Sequence, residues 1–333
     1  MIKTPLCHLL GIEYPILSVG MGLNMAGPEL AAAVSNAGAC GVLGSGSLSA
    51  AATREQIRAL RMLTDRPFGI NLIMPMLQEG QVQVALEERV PFVVFFWGDP
   101  RPYLPDLKRA GIKAFIQVGS VEEGLEAGTW GVDAVIAQGI EAGGHVKSKT
   151  SLSTIVPALA EALKPLPVIA SGGIANGRGI AAAFSLGAQG VSLGTRFLAT
   201  PEARVLEAYK DMIVNARAED TVYTGLFDVG WEHAAHRVLR NREVDEWEAA
   251  GSASPGQRPG EGEVIGHLEV DGTTLDIPKY SVLPPVLGYQ GELQRAALYA
   301  GESVRLIHDI KPAAEVVRDL VCETDDVLAS LRG

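Results

Sequence analysis

The chain has 333 residues, 47% hydrophobic and 20% charged, with 38 glycines and a formal net charge of −11. So much apolar material excludes a disordered chain, and glycines without a fixed period exclude a collagen-like or low-complexity one. An acidic balance with no block of five like charges gives no footing for nucleic acid. Three cysteines, Cys7, Cys40 and Cys322, contain no C-x-x-C spacing. They read as small core residues of a reduced, cytoplasmic protein rather than as a disulfide framework. No basic and apolar leader marks the N-terminus, and no apolar run reaches the roughly 18 residues of a membrane span, so neither secretion nor a membrane is expected.

Short apolar runs bounded by Gly, Pro or polar residues read as buried parallel strands. They fall at Pro15–Val19, Gly41–Leu43, Phe68–Leu72, Phe92–Phe96, Ala114–Gln117, Ala134–Ala137, Pro167–Ala170 and Gly190–Leu193. Helix-like stretches lie between them. Pro28–Ala37 has proline at an early position and Gly38 past its end; Thr53–Leu63, Ser120–Ala127, Thr154–Leu163 and Gly177–Leu186 follow, the last ending at Gly187. Eight β-then-α units predict the α/β class and a (β/α)8 TIM barrel over residues 1–218. Periodicity alone leaves a doubly wound open sheet as the alternative. After Ala218 the pattern changes. Residues 251–263 form a Gly/Pro-rich loop, and Val264–Val270 and Thr273–Ile277 flank Asp271-Gly272, a hairpin signal. Leu293–Tyr299 and Ala313–Leu331 read as helices. Residues 219–290 are therefore expected to form a smaller C-terminal α+β lid or cap, and residues 291–333 helices that pack back on the barrel.

Chemistry-bearing residues cluster after the strands. Ser171-Gly172-Gly173-Ile174 follows the seventh strand and Gly194-Thr195-Arg196 the eighth. These loops bind phosphate in many barrels, because phosphate oxygens want several backbone N–H groups that a Cβ would crowd. A helix starting near Asn176 would aim its positive end at the same anion. After the sixth strand, Ala137–His145 contains Gln138, Gly139, Gly143 and Gly144 and presents His145 to the barrel mouth. Histidine exchanges protons near neutral pH. After the first strand, Gly20, Met21 and Gly22 offer a flat apolar backing for a planar ring. Asn71 and Gln117, at the ends of the third and fifth strands, supply donors and acceptors. A ring with polar edges and a phosphate tail has the shape of FMN. The glycine surplus then reads as the rim of one cofactor site. His233 and His236 have i, i+3 spacing but no third ligand, so no metal is expected; Asp228, Trp231 and Trp247 read as lid packing.

These stretches resemble the nitronate monooxygenase family, formerly called 2-nitropropane dioxygenases. The matching segments are Tyr14–Gly22, DRPFGINL (65–72), AQGIEAGGH (137–145), PVIASGGIANGRG (167–179) and LGAQGVSLGTRFLAT (186–200). The resemblance runs from Gly11 to Thr200 and implies an FMN-dependent barrel with an added smaller domain. It implies Gly20, Met21 and Gly22 beside the isoalloxazine, and Asn71 on its pyrimidine edge with Gln117 nearby. Gln138 and Gly139 would border the flavin. Gly172, Gly173, Gly194 and Thr195 would hold the phosphate, and His145 matches the active-site histidine. The implied reaction oxidises an alkyl nitronate with O2 to a carbonyl compound and nitrite. Related flavoenzymes on this scaffold imply an alternative, reduction of an enoyl thioester or a quinone with NADH or NADPH as reductant. The partners are then a small-molecule substrate and O2, with a homodimer possible. Relatives often read Q-G-G-M after the first strand, where this chain has Ser18-Val19-Gly20-Met21.

Overall fold

The computed structural model describes residues 2–270 and 273–331. Its strands begin with β1 (Ile16–Ser18), β2 (Gly41–Gly44), β3 (Phe68–Ile73), β4 (Phe92–Phe96), β5 (Lys113–Val118) and β6 (Ala134–Gln138). The two-residue β7 (Gly144–His145), β8 (Val168–Ser171) and β9 (Gly190–Leu193) follow. All of these except β7 join one parallel sheet in the order β1-β9-β8-β6-β5-β4-β3-β2. A parallel bridge between Leu17 and Cys40 brings β1 back to β2. That return closes the sheet into a barrel and excludes the open doubly wound alternative.

Two-residue periodicity explains how each strand serves two cores. On β4, Phe92 and Val94 join Leu17, Val42, Phe115 and Ile136 inside the barrel, while Val93 and Phe95 pack outward under the helices. The helix Pro5–Leu10 plugs the barrel floor with Leu6, Cys7 and Leu10. Gly190 has no room for a Cβ, which would strike Leu6. The inward row turns polar toward the C-terminal strand ends. Two residues beyond Phe115, Ile136 and Ile169 stand Gln117, Gln138 and Ser171, and all three line one cavity.

The remaining chain builds two small sheets. β10 (Thr221–Thr224) pairs antiparallel with β11 (His236–Leu239), which also pairs with β7. β12 (Val264–Val270) pairs antiparallel with β13 (Thr273–Pro278) and with β14 (Tyr289–Gly291). The expected turn Asp271-Gly272 lies outside the described residues. The helix Ala313–Ser330 packs against the helices Gly177–Ser185 and Pro28–Asn36. No helix among the described residues is long and apolar enough to cross a membrane.

Two expectations need correction. Leu293–Tyr299 is not a helix: only Leu293–Arg295 makes a 3-10 turn. Tyr299 forms an antiparallel bridge with Val238, and Leu239 N–H donates to Leu298 C=O, so tertiary pairing overrides helical propensity. Cys322 is exposed, because the buried stripe of its helix runs through Val316, Val317, Leu320 and Thr324 and leaves position 322 outside; Cys7 and Cys40 are buried as expected.

Candidate active site

The strand ends converge on a cavity lined by Gly20, Met21, Gly22, Asn71, Gln117, Gln138, Gly143, Gly144, His145, Ser171, Gly172, Gly173, Gly194 and Thr195, among others. Among the described residues, no Asp, Glu, Lys or Arg belongs to its wall. Gly139 stands outside it. Its N–H donates to Ser171 C=O (2.8 Å), and a Cβ there would run into Glu141 and Leu152.

Close backbone approach shapes the first wall. Leu23 N–H donates to Gly46 C=O and Gly44 N–H to Ala26 C=O, so the loop after β1 lies on the end of β2. Gly44 permits this contact, since a Cβ would fall inside the Met21 carbonyl. Gly20 is also tight: its Cβ would lie 2.7 Å from Leu43 C=O. Leu23 (φ 51°) and Ser47 (φ 68°), both in the wall, hold left-handed conformations that are costly for residues with side chains. Asn71 closes this side. Its Oδ1 is buried and has no hydrogen-bond partner.

Opposite, Gly172 (φ 110°) and Gly173 (φ 69°) make the turn after β8, and Gly194 precedes the four-residue helix Thr195–Leu198 after β9. Thr195 Oγ1 accepts from Gly301 N–H at 3.0 Å. The helix expected to point at an anion, Gly177–Ser185, does not. Asn176 Oδ1 accepts from Gly179 N–H, and Glu323 accepts from Gly177 N–H at 2.8 Å. Its N-terminus is thus satisfied by its own cap and by the C-terminal helix. Gly177 and Gly179 therefore serve packing rather than the cavity rim, as do Gly44 and Gly190.

His145 is held from several sides. In β7 it pairs with His236 of β11, and Val146 N–H donates to Ala235 C=O (2.8 Å). Gln138 Nε2 donates to His145 C=O (2.9 Å), and Gln138 Oε1 accepts from Lys147 N–H (3.0 Å). Both polar ends of Gln138 are thus spent on the histidine loop. The His145 ring stacks on Trp231 at 4.1 Å and 27°, with Tyr299 at 5.3 Å and His236 at 5.5 Å. Its Nε2 is buried without a partner. Burial first, and His236 second, push its pKa down to about 3. The neighbouring His236 is neutral too. Nε2 accepts from Phe227 N–H, which leaves Nδ1 as the donor to Ala234 C=O, and burial lowers its pKa to about 4. Tyr299 donates its hydroxyl to Val282 C=O (2.7 Å), so it offers the cavity only its ring.

Trp231, Tyr299, Ser192, Met25 and the segment Val282–Pro284 also line the cavity and were not expected there. Ser192 carried a readable signal, being two residues beyond Gly190 on an inward row. Trp231, Tyr299 and 282–284 carried none, because later strands bring them in.

A family model described as nitronate monooxygenase matches residues 3–81 and 76–323. The (3aS,4S,5R,7aS)-5-hydroxy-7a-methyl-1-oxo-octahydro-1H-indene-4-carboxyl-CoA dehydrogenase of Mycobacterium tuberculosis is 35% identical over 255 residues, covering 76% of this chain and 70% of that protein. A probable nitronate monooxygenase of Staphylococcus aureus is 32% identical over 290 residues, covering 73% of this chain and 80% of that protein. The structure of FabK from Thermotoga maritima superposes with a TM-score of 0.83 at 35% identity, covering 100% of this chain and 99% of FabK.

Proposed function

The chain belongs to the nitronate monooxygenase family, and from that membership we propose that it is an FMN-dependent enzyme that oxidises alkyl nitronates with O2 to carbonyl compounds and nitrite. The cavity fits the cofactor on its own terms. Asn71 Oδ1 is an unpartnered buried acceptor, a situation that costs about 1–3 kcal/mol and is relieved by a ring N–H. Gly20, Met21 and Gly22 would back the ring. The backbone at Gly172, Gly173, Gly194 and Thr195 would take the phosphate without any cationic side chain. When bound, FMN supplies the electron-accepting chemistry.

The observation that carries the reading is the buried His145, its Nε2 without a partner, in a wall that holds no charged side chain among the described residues. A ring with a pKa of about 3 is a weak base at neutral pH and cannot efficiently take a proton from carbon. It still presents one N–H, able to bind a nitronate oxygen. A nitronate arrives already deprotonated and needs no base. No carboxylate in the wall repels it, and the buried imidazole orients it without changing charge.

The test uses FMN-loaded protein and measures oxygen uptake and nitrite. Propyl-2-nitronate should be consumed rapidly, freshly added neutral 2-nitropropane slowly, and His145→Asn should lose most turnover. Uptake no greater than a free-FMN blank, or a preference for the neutral nitroalkane, overturns the reading. The likeness to FabK supports a second reading, in which NADH or NADPH delivers hydride through FMN to an enoyl thioester. Rapid anaerobic bleaching of the flavin by either nucleotide, reversed by an enoyl-CoA, would favour it.

A further inference from the structure

The loop between β10 and β11 carries Trp231 into the cavity wall, where it is 9% exposed. The loop is firmly anchored. Val229 N–H donates to Tyr280 C=O, Val282 N–H donates to Val229 C=O, and Asp228 pairs with the buried Arg258 at 2.6 Å. Gly230 (φ 106°) allows the turn that delivers the indole. Trp97, itself in a left-handed conformation (φ 62°), meets Trp231 edge-on at 5.2 Å. Trp231 stacks on the His145 ring and Tyr299 lies tilted 5.3 Å from it, so two aromatic rings flank the imidazole.

We propose that Trp231 is a positioning and specificity-determining residue: its indole holds the His145 ring in one orientation and fills the space beside it, so the site admits small alkyl nitronates and rejects aryl ones. The reaction in that statement rests on the reading above; the hold on His145 does not. Replacing the indole by a smaller side chain frees the ring and admits water and bulkier substituents.

The experiment compares FMN-loaded wild type, Trp231→Leu and Trp231→Phe. Retained FMN and an unchanged far-UV spectrum certify folding, and the phenylalanine variant, which can still stack, guards against collapse of the leucine one. The first readout is turnover of propyl-2-nitronate against phenylmethyl nitronate. The second is the NMR titration of the His145 ring, identified by its loss in His145→Asn. His236 on β11 and Tyr299 face that ring; on the elements packed beside it, Tyr223 bonds to Val146 C=O, Lys147 pairs with Glu123, Arg237 with Glu302 and Asp228 with Arg258. They are the same in all three proteins. Expected in Trp231→Leu are a loss of kcat on the alkyl substrate of about tenfold, a rise in relative aryl turnover, and a His145 that protonates closer to pH 6.5. Trp231→Phe should restore kcat and the resistance to protonation. A folded Trp231→Leu whose His145 still resists protonation, or whose alkyl-to-aryl ratio equals wild type, overturns the proposal. Absence of nitronate turnover in wild type overturns the reaction instead and leaves the titration to judge the hold on His145.

Discussion

His145 should make folding stability depend on pH in a way that a neutral substitute removes. Its pKa in the fold is about 3, against an ordinary 6.5, because burial penalises the imidazolium. The unfolded chain takes up a proton as pH falls through 6.5, whereas the folded chain does not until about pH 3. The stabilisation is therefore complete above pH 6.5 and is lost on acidification. Integrated from pH 6.5 to 4.5, one such histidine removes about 2 kcal/mol. His236, lowered to about 4 by burial, acts with the same sign and a similar size. Urea unfolding of wild type and His145→Gln at pH 6.5, 5.5 and 4.5 isolates the first contribution, since carboxylate effects are common to both proteins. The variant should lose about 2 kcal/mol less than wild type across this range. Parallel profiles would falsify the neutral-imidazole assignment. They would return His145 to service as a general base, and with it the neutral nitroalkane as a substrate.

Asn71→Leu should weaken FMN binding by about tenfold or more, since the buried acceptor loses its pairing role; quenching of flavin fluorescence on binding measures this, and unchanged affinity would contradict the pairing. Gly44→Ala drives a Cβ into the Met21 carbonyl, so it should destabilise by about 1–3 kcal/mol; an unaltered Tm would mean that this strand end yields freely. Gln138→Leu leaves His145 C=O without its donor, and should lower kcat by about tenfold with little change in KM. A shift confined to KM would assign Gln138 to substrate binding instead.

Much of this molecule is written locally. Buried parallel strands need continuous apolar runs, and the chain delimits those runs with Gly, Pro and polar residues; all eight barrel strands are found where these runs fall. The polar ends of the strands follow from the same two-residue period, which takes Phe115 to Gln117 and Ile136 to Gln138. Barrel closure then brings Asn71, Gln117, Ser171 and the glycine turns to one cavity.

The surroundings of His145 were not legible. β7 is only two residues long, too short to show a pattern, yet through β11 it draws in the loop that bears Trp231. Residues 293–299 look helical, but Leu298 and Tyr299 are pulled into extended pairing beside Val238 and Leu239. The helix at Gly177 reads locally as free to meet an anion, but Glu323 caps it from the last helix. The sequence by itself determined the eight strands and the polar residues at their C-terminal ends, because burial and chain reversal act over a few residues. Only the tertiary structure decided the closure of the barrel, the burial of His145 and the aromatic wall around it, because these depend on side chains far apart in the chain that exclude water together.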